Sequence, residues 1–133
     1  MTVRAYKGSK PFRRADLNRL VIDTLRDAQE RQQCTVYTYC LMPDHLHFLV
    51  SPNVDGASVL RFTEEYKGKA TNLSWTLGWQ GKLWQPRYYD HIVRREESLR
   101  AIAQYLLDNP VRQRLVEDAE LWPWGGEMNP LPL

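Results

Sequence analysis

The sequence has little cysteine and no long apolar run. Of its 133 residues only two are cysteine, and no hydrophobic stretch approaches the ~20 residues that a membrane-spanning helix needs. Cys34 and Cys40 fall in one strand-like segment, where six residues separate Cα atoms by ~20 Å, beyond the ~7 Å that a disulfide allows. No secretory signal opens the chain. These absences exclude a disulfide-stabilised miniprotein and a membrane span, and we expect a cytoplasmic protein with free thiols.

The composition is that of one folded domain. The chain is 43% hydrophobic, 26% charged and 11% aromatic, which argues against disorder and a collagen-like fibre. It has no internal repeat and no linker that would divide it. We therefore expect a single domain over residues 1–133, in which residues 115–133 form an acidic tail with a net charge of −4.

Positive charge is concentrated in two segments. Residues 1–20 carry six basic side chains against Asp16, and residues 82–114 have a net charge of +3. Such segments are often solvated surface, but two of them can also share one anionic ligand. Cations interleaved with tryptophan and tyrosine suit single-stranded nucleic acid, where phosphates are neutralised and bases stack. The predicted contacts are Lys67, Lys69, Arg87, Arg94, Arg95 and Arg112.

The hydrophobic pattern predicts alternating strands and helices. Strands are expected at residues 2–6, 34–42, 45–50 and 83–93, and helices at 17–28, 59–77 and 99–106. Asp16 and Asp55 are candidate N-caps, Pro86 indicates an edge strand or a bulge, and Pro110 should end the last helix. The order β-α-β-β-α-β plus one helix predicts an α+β, ferredoxin-like split βαβ fold. Its antiparallel sheet has helices on one face and an extra C-terminal helix.

The segment LMPDHLHFLV, residues 41–50, contains two histidines at strand spacing. Residues two apart on a strand point the same way, so His45 and His47 share one face while Leu46 and Phe48 face the core. Two adjacent imidazoles make a divalent-metal site. The alternatives are two polar residues on an exposed face, or a structural zinc site.

The last predicted helix brings two further polar groups together. Tyr105 and Asn109 lie about 40° apart and one turn from each other beside its apolar stripe. A tyrosine hydroxyl can act as a nucleophile, and an amide oxygen can complete a coordination shell. Alternatively, Tyr105 is a boundary aromatic and Asn109 a helix terminator before proline.

Three ordered motifs carry a family resemblance. They are residues 39–50 (YCLMPDHLHFLV), 83–91 (LWQPRYYDH) and 105–112 (YLLDNPVR), with a tail LWPWG at 121–125. Together they resemble the single-tyrosine HUH transposases of the IS200-like superfamily, most closely the REP-associated tyrosine transposases. The resemblance covers about residues 2–126.

The resemblance implies a specific chemistry. Its metal ligands would be His45, His47 and Asn109, holding Mg²⁺ or Mn²⁺, and Tyr105 would be the nucleophile. The expected activity is metal-dependent cleavage and rejoining of single-stranded, hairpin-containing DNA through a 5′-phosphotyrosine intermediate, by a monomer or a homodimer. Asp44 stands where the family usually has asparagine.

Two other functions are compatible with the sequence. One is a non-catalytic DNA or RNA hairpin-binding protein that has kept the fold and lost the reaction. The other is a metal-dependent hydrolase of small phosphoesters, in which the histidine pair holds the metal and water attacks. The role of Tyr105 distinguishes all three.

Overall fold

The computed structural model describes residues 1–91, 93 and 98–132. Its strands are β1 (Thr2–Ala5), β2 (Cys34–Met42), β3 (His45–Pro52), β4 (Trp84–Tyr89) and β5 (Gly125–Glu127), and its helices are α1 (Ala15–Gln32), α2 (Val59–Thr76), α3 (Leu99–Leu107) and α4 (Asn109–Arg112). Short 3₁₀ turns lie at Tyr6–Gly8, Pro11–Arg13 and Ala119–Leu121. Within this part of the chain, no helix combines the length and apolar character of a membrane span.

All five strands form one antiparallel sheet in the order β4-β1-β3-β2-β5. The four strands β4-β1-β3-β2 have the predicted split βαβ arrangement, so the fold class is confirmed. Between β2 and β3, Leu41 lies opposite Leu46, and Cys40 lies opposite His47. Because cross-strand partners point the same way, this register places the leucines on one face and the histidine on the other.

The main core lies between the sheet and the helices α1 and α2. Leu17, Leu25, Leu46, Phe48 and Phe62 are each fully buried there. Full burial of such a side chain contributes about 1.5–3 kcal/mol, so this layer supplies most of the stability and holds β3 rigidly.

The helix α3 packs on β2 and β3 from the face that carries the histidines. Ala103 of α3 is buried, as are Cys40 and Met42 on β2 beneath it. The strand β2 is therefore covered on both faces, as its β-branched and aromatic residues predicted.

Two sequence-based details, both N-caps, were wrong. The N-cap of α1 is Arg14, and Asp16 lies in the first turn, where its carboxylate accepts the Leu17 N–H at 2.8 Å. The N-cap of α2 is Ser58, not Asp55. The helix α3 does end before Pro110, at Leu107, as predicted, and the proline occupies the first turn of the separate short helix α4, where its missing N–H removes no helical bond.

Pro86 lies in an edge strand that also contains a bulge, as predicted. Val3 pairs with Tyr88 and Ala5 with Trp84, so β4 advances four residues while β1 advances two. Pro86 falls within the extra length, where no ladder bond needs its nitrogen.

The tail adds a strand that the sequence did not predict. Residues of β5 pair with Thr38 to Cys40 on β2. Nearby, the Trp122 indole donates to the Leu41 carbonyl at 3.0 Å, and the Leu41 N–H donates to the Trp124 carbonyl at 2.8 Å.

Candidate metal and DNA site

The two histidines stand side by side at the start of β3. Their ring centroids are 4.6 Å apart, and the ring planes are almost perpendicular at 83°. The strand alternation that buries Leu46 between them turns both imidazoles to the α3 side of the sheet. One face of the sheet thus carries two imidazole rings side by side.

Each ring is held through its Nδ1 atom. His45 Nδ1 lies 2.6 Å from a carboxylate oxygen of Asp44, and His47 Nδ1 lies 2.7 Å from the Thr2 hydroxyl. A carboxylate only accepts, so His45 Nδ1 carries the proton, and in the neutral ring the lone pair lies on Nε2. The Thr2 hydroxyl can accept in the same way, which leaves the lone pair of the neutral His47 ring on Nε2 as well. Such partners fix the tautomer and orientation of metal-binding histidines.

The electrostatic surroundings keep His47 neutral. Burial lowers the pKa of His47 to about 3, with further lowering by His45, the N-terminal ammonium, Arg4 and Arg112. Above that pH the ring retains a lone pair for a cation. The lowered pKa disfavours protonation of His47, so its ring nitrogen remains able to coordinate a cation.

Asn109 lies beside the histidine pair at the buried side of the site. It is the first residue of α4, it is buried, and its amide nitrogen donates to His45 Nε2 at 3.3 Å. Turning the amide about its last side-chain torsion exchanges nitrogen and oxygen, which would present the oxygen to a cation instead. The fold therefore brings Asn109 to His45 across 64 residues of sequence.

These groups fit a divalent cation. Among the described residues, no set of three or more His, Cys, Asp and Glu side chains forms a metal cluster. A cation at this place would therefore have two imidazole nitrogens and one amide oxygen as protein ligands, with the remaining positions open.

Tyr105 lies at the surface of α3, one helical turn before Asn109. Its side chain is 67% exposed, and the Arg112 guanidinium stacks on its ring at 3.6 Å from the centroid. A cation over an aromatic face at this distance is an attractive contact that restrains the ring. The phenol is thus accessible and held, and it does not point into the core.

An open cleft of about 440 Å³ surrounds the histidine pair. Its lining consists of Arg4, Lys10, Arg13, Met42, Pro43, Asp44, His45, His47, Asn109, Gln113 and Leu115, and among the described residues Tyr105 is not part of it. Three of these side chains are cations and one is an acid. The cleft is therefore electropositive and suited to an anion.

The predicted DNA contacts occupy different parts of the molecule. Lys67 is buried, and its ammonium donates to the carbonyls of Gln85 and Pro86, so it is not available for DNA. Lys69 lies beside the groove between α1 and α2, on the opposite side of the sheet from the histidines.

Of the other four predicted DNA contacts, the structure describes two. Arg87 is exposed on β4, and Arg112 is exposed beside Tyr105. Arg94 and Arg95 lie outside the described residues.

Sequence reasoning missed four residues of this site. Thr2 supports His47, and Arg4, Lys10 and Arg13 line the cleft. The excess of positive charge in residues 1–20 was the available signal. Only the pairing of β1 with β3 shows which of those cations face the histidines.

Known proteins share both the sequence pattern and the fold. The family model described as transposase IS200-like matches residues 2–109. A Haemophilus influenzae protein assigned as a REP-associated tyrosine transposase is 27% identical over 109 residues, which cover 71% of this chain and 62% of that protein. The REP-associated tyrosine transposase of Escherichia coli K12 is 26% identical over 90 residues, which cover 67% of this chain and 52% of that protein. The chain thus spans less than two thirds of either relative.

The fold comparison gives the same architecture. A solved structure of a REP-associated tyrosine transposase bound to a REP hairpin superposes with a TM-score of 0.78. It is 19% identical, and the alignment covers 93% of this chain and 72% of that one. At this identity the similarity establishes the shared fold.

Proposed function

Because this chain belongs to the IS200-like transposase family, we propose that it cleaves and rejoins single-stranded DNA beside a hairpin. In this proposal Tyr105 is the nucleophile, and His45, His47 and Asn109 hold Mg²⁺ or Mn²⁺. The observation that carries the proposal is the meeting of Asn109 with His45 in a positive cleft, one helical turn from an exposed tyrosine.

The residues divide the reaction between them. The Tyr105 oxygen attacks the phosphorus and loses its proton, the new tyrosyl phosphoester forms, and the bond to the 3′ oxygen breaks and leaves a 3′-hydroxyl. A bound cation would supply Lewis-acid polarisation and charge neutralisation at the scissile phosphate. Arg112 holds the tyrosine ring and places a positive charge beside it. One phosphoester replaces another, so a later 3′-hydroxyl can reverse the step without ATP.

Hairpin DNA is the proposed partner. The structural relative was solved with a REP hairpin, and the cleft here presents three cations around the histidine pair. Exposed Tyr89 and Arg87 at the β4 edge add an aromatic and a basic group of the kind that contact unpaired bases and phosphates.

A covalent-adduct assay tests the proposal. Wild-type protein is incubated with Mn²⁺ and labelled DNA hairpins that carry unpaired tails, and a denaturing gel then separates protein-bound label. Tyr105→Phe should abolish the adduct while hairpin binding remains. Tyr89→Phe is the matched control, because both tyrosines are 67% exposed and phenylalanine keeps the ring with which Tyr89 would stack on a base.

Each other outcome identifies an alternative. Binding without an adduct by the wild type, on every hairpin tried, contradicts catalysis and leaves a hairpin-binding protein. Cleavage that survives Tyr105→Phe but is lost in His47→Ala indicates hydrolysis by water.

A further inference from the structure

Among the described residues, three cations around the histidine pair have no ion-pair partner. Elsewhere Arg14 pairs with Asp16 at 2.9 Å, and Arg61 pairs with Glu65 at 3.0 Å. In the part of the chain that the structure describes, Arg4, Lys10 and Arg13 pair with no carboxylate, although all three are exposed in one cleft. We call them the basic cluster. Like charges held together without carboxylates paired to them favour an anionic ligand.

Backbone contacts hold the basic cluster in place. Arg4 lies directly opposite His45 in the β1–β3 ladder, so its side chain leaves the sheet on the histidine face. The Ala5 N–H donates to the Asp44 carbonyl at 2.8 Å, and the Phe12 N–H donates to the Pro43 carbonyl at 3.2 Å. The turn that carries Lys10 and Arg13 is thereby fixed against the hairpin loop that precedes His45.

Buried groups anchor the same turn from below. Phe12 is buried in the core, and the Asn18 side-chain amide, itself buried, donates to the Phe12 carbonyl at 2.9 Å. The cations therefore project from a rigid support. A pre-organised cluster loses little conformational entropy of the backbone when a ligand binds.

We propose that the basic cluster binds successive backbone phosphates of the unpaired DNA strand that enters the histidine site. This deepens, and rests on, the proposed function, because the strand is defined by the phosphate that Tyr105 would attack. The three cations come from β1 and from the turn that follows it. They are therefore better placed to contact several phosphates along one strand than to contact a single small anion. Phosphate contacts position a strand without reading its sequence, so the cluster sets affinity and register.

A binding experiment without metal separates this role from catalysis. Two fluorescent probes are titrated in EDTA: a blunt DNA hairpin, and the same hairpin with an unpaired oligothymidine tail on each end. The proteins are wild type and the variants Arg4→Gln, Lys10→Gln and Arg13→Gln. The control is Arg19→Gln, an exposed cation of the same basic segment that lies on α1. Thermal midpoints verify that all variants are folded.

The expected result is a loss of affinity for the tailed probe alone. Each cluster variant should reduce the slope of log K against log salt concentration by about 0.7, the value for one phosphate contact on a single strand. Arg19→Gln should match the wild type on both probes. Wild-type slopes and affinities in all three cluster variants, or equal losses on both probes, would overturn the inference.

The adduct assay shows whether the two proposals fail together. An active wild type whose cluster variants bind the tailed probe normally contradicts the inference and leaves the proposed function intact. If the cluster variants lose affinity for the tailed probe as expected but the wild type forms no adduct, the proposed catalysis is contradicted and the phosphate site stands. A wild type that binds neither probe contradicts the inference.

Discussion

Replacing Lys67 with methionine should destabilise the fold. Its ammonium donates to the carbonyls of Gln85 at 2.8 Å and Pro86 at 3.2 Å, in the stretch of β4 that is out of step with β1. It also lies 5.2 Å from the centre of the Tyr88 ring. This lysine therefore supplies donors to a bulge that the ladder leaves irregular.

The magnitude follows from what methionine retains. Its unbranched side chain preserves much of the packing of the lysine stem but none of the donors. A buried acceptor that loses its partner costs about 1–3 kcal/mol, and hydrogen bonds to charged groups contribute about 1.5–3 kcal/mol. Burial lowers the pKa of Lys67, so part of this gain is offset by the desolvation of the charge. We expect the free energy of unfolding to fall by about 1–3 kcal/mol. Each kcal/mol should lower Tm by roughly 3–5 °C.

Urea unfolding followed by circular dichroism measures this loss. Lys69→Met is the matched control, because Lys69 lies on the same helix and is exposed, and it should change the free energy of unfolding by less than about 0.5 kcal/mol. Equal stabilities for the two variants would refute the role assigned to Lys67.

The pH dependence of the same difference has a definite sign. A lysine with a lowered folded-state pKa binds more protons in the unfolded chain, so stability rises as the pH increases through the folded pKa towards ~10.4. The stability advantage of the wild type over Lys67→Met should therefore widen in that alkaline window. A constant or shrinking advantage would contradict the direction of the shift.

Three further predictions concern the site and the thiols. Asp44→Ala removes the acceptor that orients the first histidine, so adduct formation should need about 10–100-fold more Mn²⁺, and an unchanged requirement would contradict this support. Arg112→Met should slow adduct formation by Tyr105 with unchanged hairpin affinity, whereas weaker binding with a smaller salt slope would indicate a phosphate contact. Burial raises the pKa of Cys40 to about 12 and also raises that of Cys34, so iodoacetamide at about pH 8 should label neither until urea unfolds the protein.

Local sequence determined the central hairpin well. The predicted strand 34–42 matches β2, because its β-branched and aromatic run lies between Gln33, which has left-handed backbone angles, and Pro43. Alternation alone then placed His45 and His47 on one face. These features depend on neighbours in sequence, which a pattern can read.

Features that depend on distant partners were not predictable. Nothing in Gly125–Glu127 favours a strand, and β5 forms because β2 offers an edge there. A side chain at Gly125 would meet Cys40 Sγ and the Tyr39 carbonyl at 3.4 Å, so this strand approaches closely. The burial of Lys67 likewise depends on the bulge in β4, and the position of Arg4 on the register of β1. A count of charged residues includes both Lys67 and Arg4. It does not indicate that Lys67 is buried while Arg4 is exposed near the histidines.

The two outer strands of the sheet are poor templates for aggregation. β5 offers only three residues, and β4 carries Pro86, which lacks a backbone N–H, inside its bulge. Short or proline-interrupted edges resist pairing with a strand of another molecule. A second copy would therefore find little continuous backbone on which to extend the described sheet. Such protection matters for this protein, because its proposed function requires the histidine cleft to stay accessible to single-stranded DNA.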